Sequence, residues 1–118
     1  MLFRSAERPL ADVFFDYDQS TLRDDARPVL QRNADWLRRW TSTRITVEGH
    51  CDSRGSSEYN LALGSRRADA IRQYLVSLGV PEGRVIAVSK GKEQPVCRDD
   101  SESCWQQNRR GHSQITAK

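Results

Sequence analysis

His50, Cys51 and Asp52 set a histidine, a thiol and a carboxylate side by side, between an apolar stretch and a helix-like run rich in arginine. The trio invites a nucleophile reading. Neighbours in sequence rarely present their side chains to one another, however, and a catalytic cysteine ordinarily meets its histidine through the fold. No catalytic residue is therefore assigned: His50 is expected to fix the loop by hydrogen bonds and Cys51 to fill space. A zinc set drawn from His50, Cys51, Cys97, Cys104 and His112 lacks the spacing such sites use, so no metal is expected.

A second constellation carries more chemistry. On a helix starting near Glu58, Asn60, Leu63 and Arg67 stand at i, i+3 and i+7 and share one stripe. That stripe is offset from an apolar one (Leu61, Ala68, Ile71, Leu75, Leu78), which places Arg67 at the edge of the core. Asp52, in the loop before the helix, can fold back over the same side. One fixed anion and one fixed cation beside a helix N-terminus suit an amino-acid head group: Asp52 accepts from its ammonium, and Arg67 donates two parallel hydrogen bonds to its carboxylate. The competing reading is an ion pair at the surface, which is common and weak.

The elements that must position these groups follow from periodicity. Residues 11–15 (ADVFF) read as a short strand, and 25–40 as a helix with Val29, Leu30, Asn33, Leu37 and Trp40 near the 3.6 period. Residues 44–49 read as a strand with Ile45 and Val47 on one face, and 58–78 as the second helix, ended by Gly79 and Pro81. A strand at 85–88, a long loop over 91–107 with room for a helical turn, and a last strand at 111–116 complete the order β-α-β-α-β-β. The expected class is α/β (α+β): a two-layer sandwich with two main helices on a small mixed sheet. Residues 1–10 read as an N-terminal extension and 11–118 as the domain.

The chain has 118 residues and a formal net charge of +3, with basic and acidic residues interspersed. That distribution argues against nucleic acid, and no basic stripe interleaved with aromatics exists. SRGSSEYN lacks the lysine and glycine spacing of a phosphate loop. No window is long and apolar enough for a membrane span, and MLFRSAERPL lacks the apolar stretch of a signal peptide. Of the three cysteines, Cys97 and Cys104 stand close enough for a local bridge, favoured over two free thiols, which implies an oxidising compartment.

VFFDYDQSTL, ITVEGHCDSRGSSEYNLALGSRRADAIRQYL, SKGKEQP and QNRR together resemble the OmpA-like peptidoglycan-binding domain family over about residues 11–111. The resemblance implies non-covalent binding of the diaminopimelate residue in the peptidoglycan stem peptide, which links the outer membrane to the cell wall without a cofactor or catalysis. By motif position it assigns the ligand-binding roles to Asp52, Arg67, Asn60 and Leu63, with the backbone around Phe15 and Asp16 lining the pocket and Arg109 of the N-R-R motif as a further contact. It implies a place on the periplasmic face of the Gram-negative outer membrane, with membrane attachment only through a lipid anchor outside this chain. TolB and TolA are the implied protein partners, and a protein-interaction module is the alternative function. The polar GHSQITAK occupies the place of an apolar strand in the family, which leaves the pairing of that strand open.

Overall fold

The computed structural model describes residues 9–117. Its elements run β1 (Val13–Phe14), α1 (Ala26–Arg39), β2 (Arg44–His50), α2 (Ser57–Ser77), a 3-10 turn (Glu82–Arg84), β3 (Val85–Gly91), α3 (Glu102–Asn108) and β4 (Arg110–Ala117). The sheet order is β1-β4-β2-β3. β2 and β3 are parallel and joined through α2, while β4 runs antiparallel to both β1 and β2. This is the expected α+β sandwich, with a third short helix added.

Local chemistry accounts for the boundaries. Pro28 sits in the first turn of α1, where its missing N–H costs nothing, and Arg38 and Arg39 in the last turn complement the helix dipole. Ser56 caps α2 by accepting from the Tyr59 N–H at 3.1 Å. At its other end Gly79 adopts φ +100° and the Val80 N–H reaches back to the Leu75 carbonyl. Ser101 caps α3 in the same way, accepting from the Cys104 N–H at 3.3 Å. Arg84 ties the α1–β2 turn together, donating to the carbonyls of Leu37, Trp40 and Thr43.

The core lies between the helices and one sheet face: Leu30, Ala34 and Leu37 from α1, Ile45 and Val47 from β2, and Ala68, Ile71 and Leu75 from α2. Leu10, expected in the N-terminal extension, packs into this core; the rest of that extension up to residue 8 lies outside the described residues. Leu61 is 45% exposed and does not extend the apolar stripe of α2. Instead the N-terminal half of α2 presses on β2 through two glycines: a Cβ on Gly49 would lie 1.8 Å from the Gly64 carbonyl oxygen. That approach sets the distance between β2 and the helix that follows it.

The polar last strand pairs on both sides because only alternate residues must be apolar. Gly111 faces the core, where a Cβ would meet Ile71, while Arg110 and His112 face outward and both reach Asp12. Burial is the largest influence on Asp12 and raises its pKa, but the bonds and charges of His112 and Arg110 outweigh it and hold the carboxyl below its ordinary value. Cys97 and Cys104 are bridged. No helix among the described residues is long and apolar enough to cross a membrane.

Candidate functional site

β2 ends at His50, and the chain then crosses over the start of α2. Cys51 and Asp52 are buried there, at 3% and 4% exposure. His50 lies in β2, not in the loop as expected. Its Nε2 meets Glu48 Oε1 at 3.1 Å, and its carbonyl is the group that faces the site. Burial pushes the Cys51 thiol up, the wrong direction for a nucleophile, and its Sγ donates to the Asn60 carbonyl.

Arg67 is 0% exposed, a correction to its expected place at the edge of the core. It reaches inward because three carbonyls receive it: Nε donates to Gln19 at 2.8 Å, Nη1 to His50 at 2.9 Å and Nη2 to Asp16 at 3.0 Å. Its guanidinium also lies 5.1 Å from the centre of the Phe15 ring. Burial lowers its pKa, yet an arginine stays charged in proteins. Three of its five N–H groups meet these carbonyls, its guanidinium also interacts with the Cys51 side chain, and it lines the cavity that Asp52 shares.

Asp52 is held as tightly. Oδ1 accepts from the Arg54 amide at 3.0 Å and from Arg54 Nε at 3.3 Å. Oδ2 accepts from Arg54 Nη2 at 2.7 Å and from Arg109 Nη1 at 3.4 Å. Burial by itself raises the carboxyl pKa, but the Arg54 hydrogen bonds, then the Arg109 bond, outweigh it and leave Asp52 below its ordinary value. The contact from Arg109, at 3.4 Å, is the longest of the four, whereas Nε and Nη2 of Arg54 hold Asp52 as one rigid edge.

Asp52, Asn60, Leu63 and Arg67 line one cavity of about 40 Å3, room for a few water-sized polar groups and so for the end of an amino acid. Asn60 shapes its floor, donating to the carbonyls of Arg54 and Ser56. Phe15 and Asp16 do not line the cavity; the next two residues, Tyr17 and Asp18, do. The carbonyls of Phe15 and Asp16 instead anchor Arg109 and Arg67. Arg109 is 4% exposed and stands behind Asp52, where it also pairs with Glu102 at 3.2 Å.

Five lining residues went unmarked in the sequence: Tyr17, Asp18, Arg54, Gly55 and Tyr59. Arg54 is the most consequential, since its guanidinium lies 3.8 Å from the Tyr17 ring and 4.0 Å from the Trp105 ring. Tyr59 donates to Asp18, whose positive φ of 58° turns the β1–α1 loop toward the cavity. The one sequence signal for Arg54 was its place two residues after Asp52, the offset at which an aspartate accepts from a following amide.

A buried carboxylate beside anchored guanidinium groups, at the mouth of a cavity on a two-layer α+β scaffold, is the arrangement of a binding domain and offers no nucleophile. The chain belongs to the OmpA family, whose family model matches residues 14–109. It is 56% identical over 98 residues to the peptidoglycan-associated lipoprotein of Agrobacterium fabrum, covering 83% of this chain and 55% of that protein. The chain thus spans little more than half of that curated relative. Among solved structures, it is similar to the peptidoglycan-associated lipoprotein from Burkholderia pseudomallei, at 42% identity, TM-score 0.86 and 89% coverage of each chain. It is also similar to the cell wall anchor of the T6SS from Pseudomonas aeruginosa, at 28% identity and TM-score 0.74, covering 88% of this chain and 75% of that one.

Proposed function

We propose that this domain binds peptidoglycan without catalysis, through the free end of diaminopimelate in the stem peptide. It thereby ties an outer-membrane component to the cell wall from the periplasmic face. Asp52 takes the ammonium, and the guanidinium of Arg67 takes the carboxylate. The observation that carries this reading is that Asp52 and Arg67, fifteen positions apart, line one cavity sized for an amino-acid head. Membership of the OmpA family and the names of the relatives support peptidoglycan as the source of that head group.

Titration with a diaminopimelate-containing stem peptide against its lysine counterpart tests the reading. Lysine lacks the terminal carboxylate, so the diaminopimelate peptide is expected to bind at least tenfold more tightly, the worth of about 1.4 kcal/mol. Equal affinities would sink the assignment. Asp52→Asn is expected to lose retention on purified peptidoglycan while staying folded.

A second reading is favoured by Tyr17 and Tyr59, 57% and 47% exposed on the cavity's rim: a protein partner, of TolB or TolA type, docks on the same mouth. Competition between stem peptide and partner for the domain distinguishes shared from separate surfaces.

A further inference from the structure

Arg54 is built as a carboxylate fork whose outer edge makes no hydrogen bond among the described residues and meets only the Glu102 carboxylate, at 4.0 Å. Both faces of its guanidinium are covered, by Tyr17 at 3.8 Å and Trp105 at 4.0 Å, which fixes the plane of the group. Its inner edge, Nε and Nη2, is locked on Asp52. Trp105 is itself fixed, because its indole N–H donates to Ser53 Oγ at 3.1 Å and it stands on α3, next to the bridged Cys104. Nη1 takes no hydrogen bond among the described residues, and the nearest anion to the outer edge is Glu102, 4.0 Å from Nη2 and itself held by Arg109. The side chain is 31% exposed, and Arg54 lines the same cavity as Asp52 and Arg67.

A guanidinium that served only to neutralise Asp52 would not need two aromatic faces to hold its plane. Planar, pre-oriented N–H pairs are what bidentate carboxylate recognition requires, and fixing them beforehand removes the ordering cost of binding. We propose that the Nη1–Nη2 edge of Arg54 is a second anion subsite, which takes another carboxylate of the same stem peptide. This rests on the head-group reading above. Two carboxylates have the right chemistry: that of the stem glutamate, and the inner, main-chain carboxylate of diaminopimelate when it ends the peptide. Both are deprotonated at neutral pH, and each offers two oxygens to one fork.

The test uses the tripeptide L-alanyl-γ-D-glutamyl-diaminopimelate in four forms: unmodified, amidated at the glutamate carboxylate, amidated at the inner diaminopimelate carboxylate, and amidated at the free-end carboxylate. Calorimetric titration of the parent, Arg54→Gln and Arg54→Lys, each first shown by thermal unfolding to be folded, reads the affinities. Arg54→Gln is expected to bind the unmodified peptide about tenfold more weakly. Arg54→Lys, which keeps the charge and loses the fork, should recover only part of that. One of the first two amides should cost the parent the same factor and cost Arg54→Gln nothing further, and which one does so identifies the carboxylate. If Arg54→Gln loses the same factor against both of these amides as against the unmodified peptide, Arg54 only positions Asp52 and the subsite is refuted. Tighter binding by Arg54→Gln would mean that Arg54 plugs the site, and also refutes it. The free-end amide reports separately on Arg67: if it binds the parent as well as the unmodified peptide does, the head-group reading fails whatever the other arms show.

Discussion

Replacing Arg67 is expected to cost stability before it costs binding, and the size of that loss follows from where its N–H groups go. Arg67→Ala strands three carbonyls. Those of Asp16 and Gln19 belong to exposed residues and can recruit water, so each loss is worth about 1 kcal/mol, whereas the bond to His50 is buried and its loss costs about 2–3 kcal/mol. The total is about 4–5 kcal/mol, against the roughly 5–15 kcal/mol by which a domain is ordinarily stable. Arg67→Lys keeps the charge and one donor, and should lose about half as much. Asp52→Asn should cost far less, because an asparagine oxygen still accepts from the Arg54 amide. Urea unfolding followed by tryptophan fluorescence measures all three. If Arg67→Ala unfolds within 1 kcal/mol of the parent, the three carbonyl bonds do not hold the junction together and the account of its burial is wrong. The corollary bears on every binding assay: weak retention of an Arg67→Ala protein says nothing about the ligand unless folding is shown first.

Gly49→Ala should destabilise by about 1–3 kcal/mol or more, because the new methyl meets the Gly64 carbonyl and the backbone must part; a melt indistinguishable from the parent's would contradict the close approach of α2 to β2. Reducing the Cys97–Cys104 bridge, with a sequence separation of 7, should lower stability by about 2 kcal/mol in the chain-entropy account, read as a shift of the urea midpoint with and without a dithiol. The two histidines should titrate on opposite sides of 6.5: the hydrogen bond to Asp12 raises His112, and burial lowers His50. His112 then contributes stability that is full below 6.5 and lost as pH rises through its higher folded value, while neutral burial of His50 favours the fold above 6.5 and penalises it as pH falls. Proton NMR of the two imidazoles checks both directions, and a shared titration near 6.5 would refute them.

The order of elements was legible because each main segment had its own period: alternation at 44–49, a 3.6 repeat in both long helices, and Gly79 with Pro81 as a stop. α3 was legible only as a loop over 91–107 with room for a helical turn, although Ser101 as cap and Glu102 in the first turn were available signals. A seven-residue helix has too few turns for periodicity to show. Within the site, the stripe Asn60, Leu63, Arg67 and the loop carboxylate Asp52 converge on one cavity as spacing suggested. Burial of Arg67 was not legible, since an arginine is ordinarily left in water. What reversed that expectation was the supply of three carbonyls, from the β1–α1 loop and the end of β2, which only the tertiary structure brings together. Arg54 was missed for a related reason: its partners Tyr17 and Trp105 lie far from it in sequence, on either side.

The three arginines around the cavity differ from surface arginines in one respect that bears on function. Arg67 is fixed by three carbonyls, Arg109 by the Phe15 carbonyl and Glu102, and Arg54 by Asp52 and two rings. Each has therefore lost its side-chain freedom in the fold, so a ligand that engages one pays little for ordering it. The same anchoring explains why a buried Asp52 remains charged: its counter-charges cannot swing away, and they hold its carboxyl below the ordinary value. A site of this kind discriminates by what it leaves unpaired. On the proposed reading, a ligand with the ammonium but no carboxylate would meet Asp52 and leave Arg67 without a partner, so such a ligand is expected to bind more weakly than one bearing both charges.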